Sequence, residues 1–100
     1  MTRDAAIGRA TEHFDRGRFR EVLARRVAMP TESQNPERAP VLREYLEGEM
    51  RPALEALGFT CRILEQGKWP FLFAERHEDP TLPTVFGYGH GDVSRGLDDE

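Results

Sequence analysis

"PTVFGYGHGDV", Pro83–Val93, is the stretch on which the fold turns. Its first residues are apolar or small and read as a buried strand, the third and most apolar in the chain. His90 and Asp92 then arrive two apart, among Gly87, Gly89 and Gly91. In extended backbone, residues two apart face the same side, so this pair can act together. Imidazole is a good zinc ligand, and a nearby carboxylate fixes its tautomer and raises its basicity. Glycines let backbone approach closely and leave room for a metal or a substrate. The C-terminal end of a strand is also where open α/β sheets bind ligands. The same letters equally describe a glycine-rich turn, in which Asp and Gly serve geometry alone. On these residues both readings stand.

Working backward, "HEDPTLP" is a connecting loop, and His77 within it reads as a turn residue beside Glu78 and Asp79. "PFLFAER" is a strand, joined through a turn at Gln66–Lys68 to "FTCRILE", where Phe59, Cys61 and Ile63 alternate with Thr60 and Arg62. Before these strands the pattern is helical. Asn35 caps a long helix with Pro36 at its first position, and Val41, Leu42, Tyr45, Leu46, Met50, Ala53, Leu54 and Leu57 form its apolar stripe. Gly58 closes it in a left-handed conformation. Pro52 lies inside, four residues after Gly48, and predicts a kink. Two shorter helices come first. One runs from an N-cap at Thr2 to Gly17 with Ile7, Ala10 and Phe14 on one face; the other carries Phe19, Val22, Leu23 and Val27 and is stopped by Pro30. His13 reads as a surface residue. Three helices followed by three strands suit an α/β layer cut before it is finished, with one sheet face left open.

The totals narrow the class. One hundred residues make one small domain, and a mean hydropathy of -0.64 is polar for a self-sufficient core. The net charge of -4 argues against nucleic acid, and the arginines from Arg16 to Arg26 alternate with acidic residues as a solvated helix face does. Cys61 is the one cysteine, which excludes an internal disulfide and suits a reducing compartment; its place in an alternating strand makes it a small core residue. There is no signal peptide and no run near the ~20 apolar residues of a membrane span, so a soluble, cytoplasmic protein is expected. Ser33 and Ser94 lack the sharp G-x-S-x-G context of a hydrolase nucleophile, and no phosphate-cradling glycine motif appears.

Three stretches taken in order, "LARRVAMPTES" (Leu23–Ser33), "LEALGF" (Leu54–Phe59) and "LFAERHEDPTLPTVFGYGHGDV" (Leu72–Val93), resemble the N-terminal part of the dinuclear zinc peptidase and deacylase family. That family includes carboxypeptidase G, acetylornithine deacetylase, succinyl-diaminopimelate desuccinylase and the carnosine-type dipeptidases. The resemblance runs from Phe19 onward, and its most specific part matches the family's strand followed by G-H-x-D-V. It implies that His90 is a ligand to one of two zinc ions, with Co2+ or Mn2+ as possible substitutes, and that Asp92 orients the ring. Met29, Pro30, Thr31, Glu32 and Ser33 match the family's helix-to-loop entry, a structural feature. Residues 1–100 are then the opening of one metallohydrolase catalytic domain of three-layer α/β type. The remaining metal ligands, the general base and the dimerising lid domain are expected beyond Glu100. Ser94 and Arg95 depart from the Pro-containing continuation of the family pattern, at the loop leaving the site. The implied chemistry is attack of metal-activated water on a peptide or N-acyl-amino-acid amide. This chain alone is expected to be inactive, and a homodimer only where the lid domain is present. The rival expectation is a non-catalytic α/β binding module that kept the family's shape.

Overall fold

A computed structural model of the chain describes residues 2–93. Helix α1 spans Arg3–Asp15, with the Thr2 side chain accepting from the Ala5 amide at 3.1 Å as the expected N-cap. The chain turns through Arg16 and Gly17 into α2, Arg18–Val27, and the rings of Phe14 and Phe19 meet across the corner with centroids 6.1 Å apart. Neither helix buries a residue. What ties α2 to the rest is charge: Arg25 reaches Glu49 through Nε at 3.0 Å and Nη2 at 2.8 Å, and Arg26 Nε adds a bond at 3.0 Å. The solvated-face reading therefore suits Arg18 and Arg20, which are exposed, whereas Arg25 and Arg26 form a clamp.

Asn35 caps the next element as expected, accepting from the Glu37 amide at 3.0 Å. A 3-10 turn over Pro36–Arg38 leads into α3, Ala39–Glu44. The kink expected at Pro52 takes a specific form. Residues Tyr45–Met50 widen into a π-helix, and the Arg51 amide reaches back to the Leu46 carbonyl before α4, Arg51–Glu55, resumes. Proline has no N–H and its ring collides with the carbonyl four residues earlier, so a wider register just before it relieves both.

Strands β1, Thr60–Gln66, and β2, Trp69–Glu75, pair antiparallel as a hairpin, with Cys61 opposite Ala74 and Ile63 opposite Leu72. Gly67 opens the two-residue turn at φ 62°, the conformation a hairpin of this length demands. Cys61 is buried as expected, and with Leu42 it makes up the buried hydrophobic core among the described residues. The opposite sheet face is open, exposing Leu64, Trp69 and Phe71. The result is a mixed helical protein with a small two-stranded sheet.

The third strand expected in Thr84–His90 is not formed among the described residues. The segment joins no ladder, and Val85, Phe86 and Tyr88 are 92%, 82% and 71% exposed. A strand exists by virtue of its neighbour, and apolar composition alone cannot supply one. After β2 the chain is folded off the hairpin by a turn in which the Thr81 amide bonds Asp79 Oδ1 at 2.9 Å and the Leu82 amide bonds the Asp79 carbonyl at 3.1 Å. It then runs to the loop after α2, where a single parallel bridge joins Glu32 and Val93.

Candidate functional site

Two segments about sixty residues apart build the site. Pro30 ends α2, and the amides of Thr31 and Glu32 bond the carbonyls of Met29 and Pro30, each at 2.9 Å, so the loop turns tightly. That turn presents both the backbone and the side chain of Thr31 to the incoming chain. Thr31 Oγ1 donates to the Gly91 carbonyl at 2.7 Å, and the Val93 amide donates to the Thr31 carbonyl at 2.9 Å. Thr31 is 3% exposed, so its hydroxyl is satisfied inside the contact it makes. Behind it stands Tyr45, at the start of the π-helix. A Cβ placed on Gly91 would meet the Tyr45 ring, 3.0 Å from Cδ1 and 3.2 Å from Cζ. Glycine permits this close approach, and a larger residue would have to displace the ring.

His90 and Asp92 emerge from this anchored backbone on one side, as their spacing predicts. His90 Nδ1 lies 3.2 Å from Asp92 Oδ1, and Ser33 Oγ donates to Asp92 Oδ2 at 2.7 Å. The Ser33 bond holds the Asp92 carboxyl below the usual carboxylate range, and the His90 contact acts in the same direction. An ionised carboxylate only accepts, so a hydrogen bond across this contact has Nδ1 of His90 as its donor. That is the arrangement of a metal-ligating histidine with its carboxylate partner. The edge of the Tyr88 ring packs on His90 at 5.1 Å between centroids, with the planes at 77°.

The surroundings differ from a buried strand end. The His90 side chain is 70% exposed and that of Asp92 41%, because the apolar residues before them stand in solvent and do not wall off a cleft. His77 lies between β2 and the turn at Asp79 and contacts Glu75 at 3.1 Å, and His13 is exposed on α1. Among the described residues, no group of three or more His, Cys, Asp or Glu side chains converges as a metal cage. The donor chemistry of His90 and Asp92 fits one zinc ligand and its orienting carboxylate, whereas zinc takes three or four protein ligands.

In the sequence Ser33 and Thr31 belong to a structural loop entry and Tyr45 to an apolar stripe. All three shape the site, and no local signal announces it, because each contact depends on where the chain returns. No helix among the described residues is long and apolar enough to cross a membrane. Comparison with protein-family models, with curated proteins and with solved structures found no match.

Proposed function

We propose that this chain is the histidine-bearing part of a dinuclear zinc amidohydrolase, a peptidase or N-acyl-amino-acid deacylase, in which His90 holds one zinc through Nε2. The single observation behind this reading is the His90–Asp92 contact at 3.2 Å, which engages Nδ1 and so favours Nε2 as the ligand nitrogen. The G-H-x-D-V resemblance gives the pair its proposed metal and reaction. When bound, zinc supplies an activated water for attack on an amide carbonyl. The residues of this chain do the positioning: Asp92 orients the imidazole, and Gly91 lets the backbone lie close against Tyr45. The general base and the other zinc ligands are assigned to no residue here, so the chain by itself is expected to hydrolyse no peptide.

The test is His90→Ala in a catalytically competent, zinc-loaded form of the protein, assayed on dipeptides and N-acyl amino acids together with metal content. Loss of zinc and of nearly all hydrolysis supports the proposal; unchanged activity refutes it. The exposed row of Val85, Phe86 and Tyr88 favours a second reading, a binding module that covers this row with a partner. Saturable binding of a partner that protects these residues, with no zinc at His90, favours the module.

A further inference from the structure

The Gly89–Val93 segment is fixed by two independent sets of bonds, and they have different tasks. Thr31 Oγ1 to the Gly91 carbonyl and the Val93 amide to the Thr31 carbonyl hold backbone to loop. Neither restrains the Asp92 carboxylate, whose terminal torsion is broad and lacks sharp staggered wells. At 41% exposure, water has access to that carboxylate and competes for its oxygens. The Ser33 hydroxyl, 2.7 Å from Oδ2, supplies the missing restraint. With Oδ2 held, Oδ1 faces His90 Nδ1.

We infer that Ser33 is a positioning residue for His90: by fixing the Asp92 carboxylate it commits the imidazole to the Nδ1–H tautomer and so leaves Nε2 as the ligand nitrogen. This assignment rests on the reading of His90 as a metal ligand, but the tautomer itself exists without metal. Ser33 acts through Asp92, as the outer partners of metal-ligating histidines do. A hydroxyl on this turn suits the role because the Asn35 amide bonds the Glu32 carbonyl at 3.1 Å across Ser33.

The test is long-range proton–nitrogen NMR of the full chain labelled at histidine, without metal and at mildly alkaline pH where imidazoles are neutral. In the wild type His90 is expected as Nδ1–H. In Ser33→Ala the Nδ1–H form loses population, and the two ring nitrogens move toward exchanging their protonated and unprotonated signals, while His13 and His77 do not change. Ser33→Thr keeps the hydroxyl and restores the wild-type pattern, which a role in loop folding alone does not require. Asp92→Asn gives a second handle should Ser33→Ala fold poorly. Ser33 then donates to the amide oxygen, the amide nitrogen faces Nδ1, and the ring must switch to Nε2–H. A wild-type His90 already in the Nε2–H form, or a tautomer unchanged in a folded Ser33→Ala, overturns the inference; where Ser33→Ala fails to fold, a tautomer indifferent to Asp92→Asn does the same. Adding Zn2+ separates the two claims. If His90 shows the expected tautomer and its dependence on Ser33 but no response to zinc, the positioning role stands and the metal reading falls.

Discussion

Gly91→Ala tests the closest contact in the site, and its effect follows from two opposing terms. Gly91 does not sit in the left-handed region, so alanine carries no backbone penalty there. Reducing the freedom of the unfolded chain then favours the docked state by about 0.4–1 kcal/mol. Against this, the new Cβ lies within 3.2 Å of three Tyr45 ring atoms, Cε1 the nearest, and overpacking of this kind costs about 1–3 kcal/mol. The net change is a loosening of the docked segment by roughly 0–2.6 kcal/mol, equivalent to as much as ~80-fold in its opening equilibrium. The Val93 amide, bonded to the Thr31 carbonyl at 2.9 Å, reports on this opening through native-state hydrogen exchange. The decisive comparison is the same substitution in the Tyr45→Ala background. With the ring gone the steric term vanishes, and Gly91→Ala becomes neutral or slightly protective. A double-mutant cycle isolates that coupling. Equal effects in both backgrounds refute the contact between Tyr45 and Gly91.

Other consequences follow from the fold. Leu42 is 8% exposed in a core of few members, so Leu42→Ala should cost about 2–5 kcal/mol in urea unfolding, a large share of a small domain's stability; a loss under roughly 0.5 kcal/mol, the range of an ordinary surface change, contradicts the burial. Phe86→Ser, at a residue 82% exposed, should change stability by no more than about 0.5 kcal/mol in the same assay, whereas a buried central strand would lose far more. Glu49 is held below the usual carboxylate range, first by its bond from Arg25 and then by that from Arg26. A carboxyl whose folded pKa is depressed stabilises the fold above its unfolded pKa of about 4 and loses that contribution as pH falls through the folded value. Acid titration followed on α2 amide shifts should therefore show α2 loosening below about pH 4, and Glu49→Gln should remove that step; an unchanged acid step in the variant contradicts the clamp.

What could be read in advance divides along chain distance. Thr2 and Asn35 act as the caps their side chains suggest, and Gly67 turns the hairpin. Pro52 marks the irregularity of the long helix, though its π-helical form depends on how the turn before it relaxes. These features are set by residues within one or two turns of each other. Thr84–Tyr88 shows the limit: an apolar run carries the propensity for a strand, but pairing is a property of two segments. The pairing of His90 with Asp92 was legible because two side chains two residues apart need no distant partner to meet. Ser33, Thr31 and Tyr45 were not, since their roles arise only where residues 89–93 come back to the loop and the helix.

The central claim is that His90 offers Nε2 to a metal while Asp92 holds Nδ1. Anomalous scattering at the zinc edge, from crystals of the chain grown with Zn2+, tests it most directly. The account predicts an anomalous peak about 2.0–2.1 Å from Nε2 of His90, with the Asp92 carboxylate still on Nδ1. Zinc bound through Nδ1, or zinc at His13 or His77 with His90 bare, contradicts it.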